Sequence, residues 1–265
     1  MAPATVPQET PTPKLAGNAL TNALPESHAF GIGFSAISRE TFFDELAQRI
    51  HSRNPQYVVT PNLDFARLAT DEPSFNRAIK GASMRLCDGA ILFHLLRLKR
   101  RPVPEKLSGS DLTPVILDWA VENKISIYLF GSDEATLQKV KDRYGAAIVG
   151  WDAPPFRKNL WEDDELNAPY VSRIRALNPD IVMVALGAPK QELWTEKYHK
   201  AAGAPVTLCI GASLDFIGDR ARRSPKILST LCLEWVWRLA MEPRRLWHRY
   251  LSDALFLITH FSKAW

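Results

Sequence analysis

The feature that most constrains the fold is a short, mostly apolar run at residues 180–186, which a polar turn follows at once. Its length and its Ile and Val content are typical of a strand that is buried on both faces. Gly187 ends the run. Pro189 can occupy the first turn of a following helix, because that turn needs no N–H group from it. The sequence here predicts a buried strand that leads directly into a helix.

This strand–helix unit brings Lys190, Gln191 and Glu192 to one edge of a sheet. In open α/β sheets, ligands bind beyond the carboxyl ends of the strands. The free N–H groups of a helix N-terminus favour an anion such as phosphate there. The alternative is an ordinary strand–helix turn with a solvated Lys-Gln-Glu face, and spacing alone does not separate the two interpretations.

Strand and helix patterns alternate through most of the chain. Strands are predicted within residues 29–34, 57–60, 84–87, 125–130, 146–151, 180–186 and 206–210. Helical patterns separate most of them. This alternation predicts an α/β fold with a largely parallel, Rossmann-like sheet and helices on both faces.

Three regions differ in composition. Residues 1–27 are rich in Pro, Thr and Ala without apolar periodicity, which predicts a disordered leader. Residues 28–225 form the predicted α/β domain. Residues 226–265 form a predicted helical appendage, with helices at 227–241 and 244–261.

The appendage region is basic and aromatic. Residues 219–265 hold nine Lys/Arg against four Asp/Glu, whereas the other 218 residues hold 24 against 25. Half of the eight tryptophans also lie here. Such helices can lie in a membrane interface. They can equally pack Trp and Leu on the sheet with Arg in solvent, and the two interpretations are compatible.

Several classes of protein are disfavoured. The three cysteines are far apart, which indicates a reducing compartment and no structural zinc. No stretch of about 18 apolar residues predicts a membrane span, and the N-terminus lacks the apolar core of a signal peptide. Glycine-rich dinucleotide, P-loop, GxSxG and HExxH motifs are missing. The acidic run at 162–165 could imitate a metal site, but acids are also favoured at a helix start.

Small polar signatures follow five of the predicted strands: Thr60-Pro-Asn62, Asp88-Gly89, Gly131-Ser-Asp133, Gly187-Ala-Pro-Lys-Gln191 and Gly211-Ala-Ser213. In a doubly wound sheet they converge on one rim and suit a nucleotide-type ligand. Asp88 is the best candidate for a general base. Its alternative role is to cap the helix that begins at Ala90. Asp111 is a second candidate with the same alternative.

A set of motifs, in order, resembles a known family. They are Thr60-Pro-Asn-Leu-Asp-Phe-Ala, Cys87-Asp-Gly, Pro104-Glu-Lys-Leu-Ser-Gly-Ser-Asp-Leu112, Ala185-Leu-Gly-Ala-Pro-Lys-Gln-Glu192, Gly211-Ala-Ser-Leu-Asp-Phe216, and Glu234-Trp through Glu242-Pro-Arg-Arg245. Together they resemble the WecG/TagA/CpsF family of bacterial glycosyltransferases over about residues 28–252.

The resemblance implies an inverting transfer of a sugar from a UDP-sugar to a lipid-linked acceptor in the synthesis of surface or exopolysaccharide. The donors it implies are N-acetylmannosamine, its uronic acid, or glucose. It implies that Asp88 is the base and that Arg238 and Arg245 meet the diphosphate. Many relatives carry Arg where this chain has Lys106, and Lys keeps the charge but loses the bidentate fork. A third basic tail position matches either His248 or Arg249.

From the strand ends and the resemblance together, we predict one catalytic residue, Asp88. The predicted substrate-binding residues are Thr60, Asn62, Lys106, Asp111, Gly131, Gly187, Lys190, Gln191, Arg238 and Arg245. No metal or other cofactor is expected. The resemblance implies as partners a UDP-sugar, a polyprenyl-diphosphate-linked glycan and the inner face of the cell membrane, where the protein would be peripherally attached in the cytoplasm.

Two other function classes fit weaker signals. A non-catalytic nucleotide sensor of the same fold would bind UDP without turnover, because fold does not fix function. A nucleic-acid-binding module is suggested by the basic aromatic tail, but no nucleic-acid partner is expected. A homo-oligomer is compatible with the sequence.

Overall fold

The computed structural model describes residues 24–101, 103–220 and 234–263. Residues 1–23 of the predicted leader lie outside these ranges, as do residues 227–233 of the first predicted appendage helix. The backbone of Arg245 is described, but its side chain is not. The predicted domain limits at 28–225 and 226–265 stay predictions.

Within the described residues, six strands form one sheet in the order β4-β3-β8-β7-β5-β6. Their bounds are β3 Gln56–Val59, β4 Met84–Arg85, β5 Ile127–Gly131, β6 Ile148–Asp152, β7 Ile181–Ala185 and β8 Val206–Cys209. All neighbouring pairs are parallel. The predicted α/β class with a parallel sheet is confirmed. The apolar run at 180–186 supplies β7, an interior strand.

The predicted first strand is a hairpin, in which β1 (Glu26–Ala29) pairs antiparallel with β2 (Ile32–Ser35). It forms a separate two-stranded sheet. Arg85 ties it to the main sheet, because its Nε donates to the Gly33 carbonyl at 2.5 Å and its guanidinium pairs with Glu26.

Nine helices lie between or after these strands in the range 24–220: α1 Arg39–Ser52, α2 Leu63–Asp71, α3 Pro73–Gly81, α4 Ala90–Leu98, α5 Gly109–Asn123, α6 Glu134–Tyr144, α7 Asp164–Leu177, α8 Lys190–Ala202 and α9 Ser213–Ile217. Several begin at residues typical of an N-cap. Ser38, Asn62 and Ser108 each accept a hydrogen bond from a backbone N–H of their own first turn. Asp163 caps α7 in the same way, so the acidic run at 162–165 marks a helix start.

Apolar side chains cover both faces of the sheet. Phe42 of α1, Ile116 of α5 and Leu137 of α6 are buried in one cluster with strand residues. Phe75 of α3 and Trp194 of α8 are buried in two further clusters. The core therefore lies in two layers around a sheet that is itself buried, as the prediction of helices on both faces requires.

Two further helices form the described part of the appendage, α10 (Glu234–Met241) and α11 (Pro243–His260). Helix α11 packs against α2. Its Leu246 and Phe256 are buried, and the Phe256 ring lies 5.4 Å from that of Phe30 in the hairpin. Among the described residues, no helix is both long and apolar enough to cross a membrane.

One strand is shorter than predicted. The pattern predicted a strand over 84–87, but β4 contains only Met84–Arg85. Beyond it the Leu86 N–H donates to the Val59 carbonyl, and the Asp88 N–H donates to that of Pro61. Pro61 has no N–H to return, so the ladder cannot continue in both directions. These two hydrogen bonds, both donated toward the end of β3 and the residues that follow it, place Asp88 next to the start of α2.

Candidate active site

The carboxyl ends of the parallel strands lie on one edge of the sheet, as predicted. At the β3–β4 end of this edge, α10 and α11 enclose a cavity of about 310 Å³. Its lining consists of Asn62, Leu63, Asp64, Asp88, Gly89, Ala90, Ile91, Leu92, Lys106, Glu234, Trp235, Arg238, Arg249, Tyr250, Asp253, Ala254 and Leu257. Four of the predicted site residues are therefore brought together: Asp88, Asn62, Lys106 and Arg238.

Asp88 does not cap α4. The N-cap residue is Gly89, and no side chain accepts a hydrogen bond there. Gly89 has a φ of 87°, a backbone conformation that side chains with a Cβ rarely adopt. This turn leaves the Asp88 carboxyl in the wall of the cavity, so the alternative interpretation of Asp88 as a cap is wrong.

Burial raises the pKa of Asp88 above its ordinary value of 3.8. The nearby charges of Lys106 and Arg238 act in the opposite direction, and the carboxylate of Glu234 adds to the rise. A raised pKa makes the ionised carboxylate a stronger base. The environment of Asp88 therefore suits the removal of a proton from a substrate hydroxyl.

Lys106 is held by Asp111. Its Nζ donates to Asp111 Oδ2 at 3.0 Å, and Ser108 Oγ donates to the same oxygen at 2.6 Å. Burial lowers the pKa of Lys106, but the carboxylates of Asp111, Asp88 and Glu234 together outweigh it and leave the pKa raised. Lys106 is therefore a fixed cation in the cavity wall. Asp111 itself does not line the cavity, and Ser108, not Asp111, is the N-cap of α5.

Except for Asp64 of α2, the appendage supplies the other charged groups of the cavity. Arg238 Nη2 donates to Glu234 Oε1 at 2.8 Å, and its guanidinium lies 5.5 Å from the Phe216 ring centroid. Arg249 lines the cavity, whereas His248 is exposed and its ring lies 3.6 Å from that of Trp247. Of the two candidates for the third basic position, Arg249 is the one at the cavity.

Four acidic and basic residues join α11 to α2, and we call them the α2–α11 ion cluster: Asp64, Arg67, Arg249 and Asp253. Arg67 pairs with Asp64 at 2.5 Å and with Asp253 at 3.1 Å, and Arg249 lies 3.0 Å from Asp64. Burial and the neighbouring Asp64 raise the pKa of Asp253 to about 6. The cluster attaches the appendage to the wall of the cavity.

The five remaining predicted binding residues with described side chains lie along the rim, outside the cavity lining: Thr60, Gly131, Gly187, Lys190 and Gln191. Thr60 is half-buried at the end of β3. Gly187 lies in the turn before α8. A Cβ on Gly131 would meet the Ala185 carbonyl oxygen at 2.6 Å, so close packing of β5 on β7 requires this glycine. Roles for these residues in substrate binding stay predictions, as does that of Arg245.

The Lys-Gln-Glu sequence at the start of α8 is not a solvated face. Gln191 is 2% and Glu192 0% exposed. Gln191 Oε1 accepts from the Gly211 N–H at 3.0 Å, and its Nε2 donates to Glu192 Oε1 at 2.6 Å. Lys190 Nζ lies 3.5 Å from the centroid of the Phe156 ring. Gln191 thus joins the turns after β7 and β8, and the solvated interpretation is wrong.

Sequence reasoning assigned no role to Glu234, Asp64, Tyr250 or Asp253. The signal was present in part, since Glu234 and Arg238, like Arg249 and Asp253, are spaced four residues apart on predicted helices. Nothing in that spacing indicates which strand end the helices face. Within the described residues, no cluster of three or more His, Cys, Asp or Glu could hold a metal ion.

The model of the glycosyl transferase WecG/TagA/CpsF family matches residues 27–265. The chain belongs to this family. The resemblance read from the motifs is therefore confirmed, and the protein is a glycosyltransferase.

Three curated relatives illustrate the similarity. The chain is 28% identical over 196 residues to an N-acetylglucosaminyldiphosphoundecaprenol N-acetyl-beta-D-mannosaminyltransferase of Bacillus spizizenii, over 74% of this chain and 75% of the relative. It is 26% identical to the enzyme of the same name from Bacillus subtilis, over 83% of this chain and 84% of the relative. The like-named enzyme of Staphylococcus aureus (strain MW2) is 26% identical, over 74% and 76%.

Proposed function

We propose that this glycosyltransferase moves a sugar from a UDP-sugar to a polyprenyl-diphosphate-linked glycan, with inversion at the anomeric carbon. The observation that carries the proposal is the cavity in which the half-buried Asp88 borders two cations, Lys106 and Arg238. A base and positive charge are the two elements that displacement of a nucleoside diphosphate requires.

The names of the relatives support the choice of substrates. They are N-acetylmannosaminyltransferases that act on an undecaprenyl-diphosphate-linked N-acetylglucosamine. We propose N-acetylmannosamine as the first donor sugar to test, ahead of its uronic acid and glucose. The product would serve the assembly of a surface or exopolysaccharide.

In the proposed mechanism, Asp88 accepts the proton of the acceptor hydroxyl. The freed oxygen attacks the anomeric carbon from the face opposite the diphosphate, so that the glycosidic bond forms as the bond to the phosphate oxygen breaks. UDP leaves with the bonding electrons. Lys106 and Arg238 offset the negative charge that develops on the diphosphate, which is often the largest contribution to catalysis.

We also propose that the transfer needs no metal ion. The reason is the positive charge that the chain itself brings to the cavity: Lys106, Arg238 and Arg249 line it. Treatment with EDTA should leave the rate unchanged. Loss of activity in EDTA and its return with Mn²⁺ would contradict this part of the proposal.

Apolar side chains on the appendage support peripheral attachment to the inner face of the membrane. Trp247, Leu251, Leu255 and Ile258 of α11 are between 47% and 76% exposed. Aromatic and aliphatic groups on a basic helix are typical of helices that lie in a membrane interface. Flotation of the full chain with anionic vesicles tests this, and failure to float would argue against attachment.

The decisive experiment measures UDP release from a panel of UDP-sugars with a lipid-diphosphate acceptor. Release with one donor, lost in Asp88→Asn, would support the class and identify the sugar. UDP binding without turnover across the panel would favour a nucleotide sensor. Turnover that survives in Asp88→Asn would refute Asp88 as the base.

A further inference from the structure

Each of the two cations beside Asp88 is held by a different carboxylate. Lys106 donates to Asp111 at 3.0 Å. Arg238 donates to Glu234 at 2.8 Å, one helical turn away on α10. The base therefore borders positive charge while both cations are engaged elsewhere. A base paired directly with a guanidinium would hold its proton less strongly and would be less available to a substrate hydroxyl.

Glu234 differs from Asp111 in its position, because it lines the cavity itself. Its side chain is one-third exposed, at 33%, and it lies near enough to influence both Asp88 and Lys106. Glu234 is thus a second carboxylate in the wall of the same cavity as the base.

We propose that Glu234 is a positioning residue of the transfer reaction, which holds Arg238 away from Asp88 and places a second negative charge beside that base. This inference rests on the proposed function of the cavity. It gives the appendage two tasks: Arg238 is presented to the diphosphate of the donor, and Glu234 holds Arg238 in the cavity for that contact.

The charges that face Asp88 come from several elements. Lys106 approaches from the segment before α5, and Glu234 and Arg238 from α10. The cavity walls also carry Asp64 of α2. Helix α11 adds Arg249, Tyr250 and Asp253 to them. The buried thiol of Cys87 precedes the base in the chain. Of these groups, Glu234 is the carboxylate whose negative charge raises the pKa of Asp88.

Two consequences follow from Glu234→Gln. Removal of the negative charge, and release of Arg238 toward the base, both lower the pKa of Asp88. The acid limb of the kcat/KM profile should therefore move to lower pH by about half a unit or more. The KM for the donor should rise, because Arg238 loses the contact that holds it in the cavity.

The experiment compares the pH profiles of the full-length chain, Glu234→Gln, Glu234→Asp and the control Glu242→Gln. Glu242 lies at the start of α11, is exposed and does not line the cavity. We expect the limb to shift in Glu234→Gln, to return near its wild-type position in Glu234→Asp, and to stay in place in Glu242→Gln. A uniform loss of kcat/KM in Glu234→Gln with an unmoved limb would overturn the proposal.

A second measurement does not depend on turnover. The carboxyl carbon of Asp88 can be titrated by NMR with ¹³C-labelled aspartate, the signal being assigned as the one lost in Asp88→Asn. A lower titration midpoint in Glu234→Gln is expected, and an unchanged midpoint refutes the inference even if no donor is turned over. Failure of the proposed function would appear differently, as no UDP release from any donor in the panel, so the two failures remain distinguishable.

Discussion

Glu192 should make the stability of this protein fall as pH rises. It is 0% exposed near the start of α8, its Oε1 accepts from Gln191 Nε2 at 2.6 Å, and its Oε2 has no hydrogen-bond partner among the residues that the structure describes. Burial raises the pKa of this carboxyl from 4.5 to about 8. The folded protein therefore holds a proton at neutral pH that the unfolded chain releases.

The sign and size of the pH effect on the free energy of unfolding follow from this difference in pKa. A group whose pKa is raised by folding contributes stability that is complete below its unfolded pKa and is lost as pH rises through its folded pKa. The interval from 4.5 to about 8 corresponds to roughly 5 kcal/mol at about 1.4 kcal/mol per pH unit. Between pH 5.5 and pH 7.5 the loss from Glu192 alone should be about 2–3 kcal/mol.

Glu192→Gln removes the titration and keeps an oxygen that can accept from Gln191. Urea unfolding of both proteins at several pH values gives the difference in their free energies of unfolding, in which titrations of other groups cancel. That difference should change by about 2–3 kcal/mol between pH 5.5 and pH 7.5, in favour of the variant at higher pH. Glu196→Gln, an exposed change one turn along α8, should show no such trend. A difference independent of pH would refute the reasoning.

Three further outcomes are expected. Asp88→Asn should lower kcat/KM by about 10²–10⁴-fold with the affinity for UDP retained, as measured by calorimetry, because only proton removal is lost. Lys106→Met should lower kcat/KM by at least about tenfold while Lys106→Arg keeps most of it, in a UDP-release assay, because a charge rather than a particular shape faces the diphosphate. Arg67→Met should reduce the free energy of unfolding by about 2–3 kcal/mol, because Asp64 and Asp253 lose a shared partner. This loss is somewhat smaller than that expected for breaking a fully buried ion pair. No change in the urea midpoint would contradict this prediction.

The alternation of apolar runs and helical patterns was sufficient to predict the sheet and its helices. The run at 180–186 became β7, and Ser38 and Pro73 occupy helix-start positions that are typical of their residue types. These features are local, since period and capping chemistry depend on neighbouring residues. The place of Asp88 at the rim was also predicted in this way, because a polar residue that follows a buried strand lies at the carboxyl edge of a parallel sheet.

The features of the fold and the site that the sequence could not predict depend on contacts between residues far apart in the chain. The burial of Gln191 and Glu192 comes from the packing of α8 between α3 and α7, which no spacing within α8 reveals. The α2–α11 ion cluster joins residues almost 200 positions apart. Glu234 and Arg249 gain a role only because α10 and α11 fold back over the end of β4.

The division of the cavity between sheet and appendage has a consequence for synthesis of the chain. Asp88 is made early, and Arg238 is added 150 positions later. Domains generally fold as units while the ribosome is still at work, so the sheet can form around its base before the cations of α10 and α11 exist. A growing chain in that state has the proposed base and Lys106 but still lacks Arg238 and Arg249. Catalysis would then begin only after the appendage has emerged and packed against α2, so that incomplete chains are inactive.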